Sequence, residues 1–173
     1  MPALTPDEMT DFLLTPGVLM RIGTVDSEGD PHVTPIWFLF EDGRIWFTPR
    51  EQSAWLQHIR AHPRIAVTID EEAAPYRKVI VEGATEIVHD LGKDDAWRDR
   101  YRRISEQYTT PEGSEAYITN TIDQPRALMS LRLDACDVTT WRMPRRGEAA
   151  TGIWHRRYYT EGSKYALEAD RPS

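Results

Sequence analysis

The chain has 173 residues, 40% of them hydrophobic, with six Trp and seven Tyr, which suits one well-packed domain better than two. Its formal net charge of −7 argues against a nonspecific nucleic-acid binder. No apolar run nears the roughly 18 residues a membrane helix needs. The polar, acidic opening MPALTPDEMTDF does not read as a secretory signal, and Cys136 alone excludes an internal disulfide framework. The expectation is a soluble, cytoplasmic protein with no nucleic-acid or membrane partner.

Residues 5–14 read as a short amphipathic helix, with Thr5 as N-cap, Pro6 in the first turn, and Asp7 and Glu8 against the helix dipole. Residues 18–25 follow as a strand with Met20, Ile22 and Thr24 on one face. A turn at residues 26–30 leads to a second strand over 32–41, and Glu41-Asp42-Gly43 turns it into a third over 44–48. Pro35 cannot donate to a ladder, so the second strand belongs at a sheet edge or is bulged there.

Residues 53–62 form a helix whose apolar face is Trp55, Leu56 and Ile59; His62-Pro63 ends it. A strand over 64–70 alternates Ile65, Val67 and Ile69 inward. A long strand over 77–89 carries Gly83, a candidate bend. Residues 91–108 repeat Trp97, Tyr101, Ile104 and Tyr108 at helical spacing, with arginines and acids interspersed as on a solvated face. Residues 111–121 suit a second short helix. Strands over 126–133 and 136–143 are expected to pair with each other. The whole predicts a mainly β, α+β domain over 1–143: a six- to seven-stranded antiparallel, Greek-key-like barrel with peripheral helices. Residues 144–173 form a C-terminal tail, a candidate for packing on a partner subunit.

The stretch RIWFTPREQSAW is the chemically suggestive one. An aromatic strand ends at Thr48-Pro49, a polar loop Arg50-Glu51-Gln52 follows, and a helix starts at Ser53. Free N–H groups at a helix start, the Thr48 and Ser53 hydroxyls and the Arg50 guanidinium together suit an anion. His32, His58, His62, His89 and His155 show no metal spacing, and no metal site is expected. No Gly-rich phosphate loop or nucleophile elbow is present, and no acid–base residue stands out as catalytic.

The ordered set G-x-P-H-x-x-P-x-W (residues 29–37), a strand ending Phe47-Thr48, a Ser53-led helix, the His62-Pro63-Arg64 exit and Val81-Glu82-Gly83 resembles the split-barrel flavin-binding proteins related to pyridoxamine 5′-phosphate oxidase. That resemblance implies a homodimer with cofactor sites at the subunit interface and a flavin-dependent oxidoreductase acting on a small organic molecule. FMN is the expected cofactor. The deazaflavin coenzyme F-420 is the alternative, as is a non-catalytic flavin- or haem-binding protein of the same fold. By the same resemblance, Thr48, Pro49, Arg50, Gln52 and Ser53 border the cofactor phosphate, and Pro35, Ile36 and Trp37 run beside the ring. Lys78 opens a strand that faces the partner's cofactor. Trp55 stands where relatives commonly place a phosphate-binding lysine, so Arg50 is the expected substitute cation.

Overall fold

The computed structural model describes residues 1–148 and 160–164. Helix α1 spans Pro6–Leu13, and the Thr5 hydroxyl and Glu8 carboxylate exchange hydrogen bonds with each other's backbone N–H as a capping box. The strands are β1 (Met20–Val25), β2 (Pro31–Ile36), β3 (Leu39–Glu41), β4 (Arg44–Phe47), β5 (Arg64–Asp70), β6 (Lys78–Ala84), β7 (Glu86–His89), β8 (Leu128–Arg132) and β9 (Asp137–Trp141). Helix α2 spans Ala54–Ala61, α3 Arg98–Glu106 and α4 Pro111–Asn120. Among the described residues no helix is long and apolar enough to cross a membrane.

Two antiparallel sheets carry the fold, one in the order β2-β1-β5-β6-β9, the other β3-β4-β8-β7. Seven strands were expected; two of them each serve both sheets, which makes nine. The second expected strand breaks at Trp37-Phe38, between β2 and β3. The break is held by Tyr108, whose hydroxyl accepts from the Phe38 N–H (3.0 Å) and donates to the Val18 carbonyl (2.8 Å). The fifth breaks at Thr85, whose N–H donates to the Pro63 carbonyl (2.8 Å). A strand crossing from one sheet to the other closes the barrel, and its outer ends keep separate partners.

Gly83 is not the bend. It is a point of close approach, where a Cβ would run into the Cys136 side chain. The expected pairing of the last two strands is also corrected: β9 pairs with β6, and β8 lies between β4 and β7. The short 3₁₀ segment Leu133–Ala135 lets the chain change sheets between them.

The expected inward residues Met20, Ile22, Ile65, Val67 and Ile69 are all buried in the main core together with Val79 and Val81 of β6, with Trp55, Leu56 and Ile59 of α2 closing it. Strand β8 is buried on both faces. A second cluster explains its outer face, where Trp97, Tyr101 and Ile104 from the α3 region and Ile118 from α4 pack on Leu39, Trp46 and Leu128. The arginines of α3 bond outward, Arg98 to Asp95, Arg102 to Asp99 and Glu115, and Arg100 and Arg103 to Glu41.

The first residues of the tail pack on their own chain. Arg142, with a side chain only 6% exposed, bonds Glu8 and Glu148, and Arg145 also reaches Glu8. Residues 149–159 and 165–173, on which the expected packing against a partner subunit falls, lie outside the described residues.

Candidate functional site

A cavity of about 250 Å³ opens between the end of β2, the β4–α2 connection and the α3–α4 hairpin. One wall is Pro35, Ile36 and Trp37, at the sheet edge that Pro35 predicted, since among the described residues β2 has a neighbour on one side only. The opposite end is polar, built from Thr48, Arg50, Ser53, Tyr117 and Arg126. Tyr101, Ile104 and Trp55 complete the lining.

The polar end is organised around one oxygen. Arg50 Nη2 and Arg126 Nη2 both donate to the Tyr117 hydroxyl, at 2.9 and 3.0 Å. Arg126 Nη1 donates to Thr48 Oγ1 (3.1 Å), and the Arg50 backbone N–H donates to Ser53 Oγ (3.1 Å). The two arginines face each other across an isolated antiparallel bridge that continues the β4–β8 ladder into the loop. Pro49 and Glu51 tie the same loop to residues on the other side, Ala127 N–H to the Pro49 carbonyl and Glu51 N–H to the Pro125 carbonyl.

Neither guanidinium forms an ion pair with a carboxylate among the described residues. Arg126 is 6% exposed, lies over the Tyr101 ring (4.5 Å), and leaves its Nε without an acceptor. Asp94 touches it only at the backbone, accepting the Arg126 N–H at 2.9 Å. Burial alone would push the Tyr117 phenol's pKa up. The Arg126 charge, then the neighbouring Tyr101 hydroxyl and the Arg50 guanidinium, outweigh burial and bring it below the ordinary tyrosine value. Tyr101, buried, is shifted the other way, chiefly by its desolvation.

Seven of the ten residues named from sequence line this cavity: Pro35, Ile36, Trp37, Thr48, Arg50, Ser53 and Trp55. Three do not. Pro49 contributes a carbonyl to the loop's closure, Gln52 is exposed, and Lys78 lies on β6 with its ammonium over the Trp141 ring (4.8 Å). Trp55 is an anchor as well as a wall, 8% exposed and tilted against Phe47 at 6.1 Å. Ser53 starts α2 without capping it, because its hydroxyl is engaged by the Arg50 N–H. His58 bonds Thr24 (3.0 Å) and His32 bonds Asp26 (2.9 Å), so neither faces the cavity.

The residues missed were Tyr101, Ile104, Tyr117 and Arg126. Tyr101 and Ile104 were visible as the apolar stripe of a helix. Nothing local marks Arg126, which opens a strand far along the chain. Trp37 stacks on Tyr108 (5.1 Å, planes 4° apart) and leans on Tyr117 (5.3 Å), which joins the apolar wall to the hairpin that carries the phenol.

Comparison with known proteins agrees with this architecture. The sequence profile described as pyridoxamine 5′-phosphate oxidase matches residues 5–141. Among solved structures, a conserved hypothetical protein of Mycobacterium tuberculosis is similar at 22% identity, covering 80% of this chain and 85% of that one, with a TM-score of 0.65. An F-420 reductase is similar at 24% identity, covering 72% and 93%, TM-score 0.53. A FAD-binding protein of Mesorhizobium loti is similar at 18% identity, covering 80% and 95%, TM-score 0.56. At these identities the likeness is one of fold. No curated protein matches the chain in sequence. With the profile spanning most of its length and the split barrel shared with these structures, the chain belongs to the pyridoxamine 5′-phosphate oxidase family.

Proposed function

We propose that this chain binds FMN in the cavity and acts, as a homodimer, as an oxidoreductase on a small organic substrate. The observation that carries the reading is the pair Arg50 and Arg126, converging on one phenol and unpaired with any carboxylate among the described residues. Two cations held together in a partly dry cavity repel each other and lack solvation, so an anion between them is favoured on both counts. The donors present, two guanidinium groups with the Thr48, Ser53 and Tyr117 hydroxyls, are those a phosphate accepts from. They fit the phosphate end of FMN without the lysine for which Trp55 stands.

Pro35, Ile36 and Trp37 offer the apolar wall beside which a flat ring system is held. The Trp37–Tyr108 stack backs that wall. The cavity of about 250 Å³ lies just below the usual ~300–1,000 Å³ of a ligand pocket, so one chain takes part of such a molecule and a second copy the rest. Lys78 belongs to this proposal only as a residue offered to the partner's site. When bound, the flavin supplies hydride or electron-pair transfer; the chain's residues bind, orient and exclude water.

A deazaflavin coenzyme of the F-420 kind is the second reading, favoured by the fold likeness to an F-420 reductase and by its own anionic tail. The absorption spectrum and mass of whatever copurifies separates the two, and substrate-dependent bleaching of the bound cofactor separates an enzyme from a binder. Uptake of FMN at micromolar concentration is the expected result. Uptake of deazaflavin alone moves the assignment to the second reading, and uptake of neither contradicts it.

A further inference from the structure

We propose that Tyr108, which does not itself line the cavity, is the positioning residue of its apolar wall: it fixes the plane of the Trp37 indole, and through that indole the orientation of the ring system bound there. This deepens the flavin reading and rests on it for the identity of the ring.

Trp37 needs a support from outside its own strand. It lies in the break between β2 and β3, where among the described residues no strand pairing reaches it. A residue in a ladder has its side chain aimed by the pleat; a residue in a break does not. The half-buried indole is held by rings instead. Tyr108 lies parallel to it, centroids 5.1 Å apart and planes 4° apart, and Tyr117 leans on it at 5.3 Å and 60°. Of the two neighbours, the parallel one is the one that defines the plane.

Tyr108 is fit for this because it is held through both backbone and side chain. Its N–H donates to the Ser105 carbonyl (2.9 Å) at the end of α3, and the carbonyl of the preceding Gln107 accepts from the Gly17 N–H (2.7 Å). Its hydroxyl accepts from the Phe38 N–H (3.0 Å) and donates to the Val18 carbonyl (2.8 Å). One oxygen thus ties the residue after Trp37 to the approach of β1. Burial pushes the phenol's pKa up, so the hydroxyl keeps its proton, and its bond to Val18, through the neutral range. The hydroxyl fixes the chain around the strand break, and the ring fixes the indole.

That division gives the test. Tyr108→Phe keeps the ring and removes the hydroxyl; Tyr108→Leu removes both. Each leaves the Phe38 N–H and the Val18 carbonyl without this partner, so each should melt below the wild type. They should part on the ligand. In fluorescence titration of the full chain with FMN, Tyr108→Phe should bind within about twofold of the wild type and Tyr108→Leu about tenfold more weakly, the loss expected for an aromatic pair. Visible circular dichroism at saturating FMN reports how the ring is held and not how tightly. Tyr108→Phe should keep the wild-type band, and Tyr108→Leu should lose or invert it. A wild-type affinity and band in Tyr108→Leu overturns the proposal. So does a Tyr108→Phe protein that loses both in step with Tyr108→Leu, because ring binding would then follow the strand break and not the stack. Should Tyr108→Leu not fold, Tyr108→Phe decides alone: a wild-type band at a lowered melting temperature supports the stack, and a changed band overturns it. The two readings fail apart. No FMN uptake by the wild type removes the flavin reading and this proposal with it, whereas uptake with an unmoved Tyr108→Leu band removes only the role of Tyr108.

Discussion

Trp55 and Arg126 exchange the roles expected of their neighbourhoods. The helix position where relatives commonly carry a phosphate-binding lysine holds a buried indole packed on Phe47, and a second cation reaches the cavity from Arg126, two residues before β8. Arg126 was not legible in sequence because its relation to the cavity is entirely tertiary. It lies 78 positions from Thr48, and the flanking Ala127 and Leu128 are both fully buried. Arg50 was legible because its loop joins an aromatic strand to a helix start. Arg50→Ala should weaken FMN binding about thirtyfold, roughly 2 kcal/mol, the usual loss when a charged contact is left unmade; fluorescence titration measures it. Arg126→Met should lower FMN affinity at least as much while leaving the melting temperature of the cofactor-free protein unchanged or raised. Removing a buried cation that has no counter-charge among the described residues relieves a desolvation cost. A sharp fall in thermal stability would make Arg126 a structural residue instead.

At the scale of elements, what the sequence carried locally agrees with the structure. The Thr5 cap, the apolar faces of β1, β5, β6 and α2, and the Asp42-Gly43 hairpin turn, with positive φ at both residues, all rest on short-range rules. The two places where a strand leaves one sheet for the other were not legible, because period-two alternation continues through a bend. The partners that fix those bends, Tyr108 and Pro63, are tertiary. The α3–α4 hairpin was legible as helices but not as a wall of the site, since its buried stripe serves the second core and the cavity at once. Ile118, on α4 and 2% exposed, belongs to the second core and is the chain neighbour of the cavity-lining Tyr117. Ile118→Ala should cost about 2–5 kcal/mol in denaturant unfolding and also weaken FMN binding, because Tyr117 is its chain neighbour. Loss of stability with unchanged affinity would show that the hairpin does not position the phenol.

At the scale of the whole molecule, ion pairs in the β5–β6 connection and between α1 and residues 142–148 use acids that titrate low. Arg77 donates to Glu71 and lowers its pKa. The Thr5 N–H, then Arg142, lower that of Glu8, and Arg142 holds Glu148 at about 2. Each group's folded pKa lies below its unfolded value, so its stabilisation is complete above the ordinary glutamate range and is lost as pH falls through the folded value. Melting temperature should therefore decline on acidification from about pH 4.5 downward. Glu71→Gln should flatten that decline, because an amide does not titrate; an unchanged acid limb would show that the Arg77–Glu71 pair does not contribute to it.

At the same scale, the account stands or falls on the phosphate. Parallel titration of the wild-type protein with FMN and with riboflavin, which differ only in that group, tests it most directly. FMN binding at micromolar concentration, with riboflavin weaker by about thirtyfold or more, is the predicted result. Equal affinity for the two, or binding of neither, would contradict it.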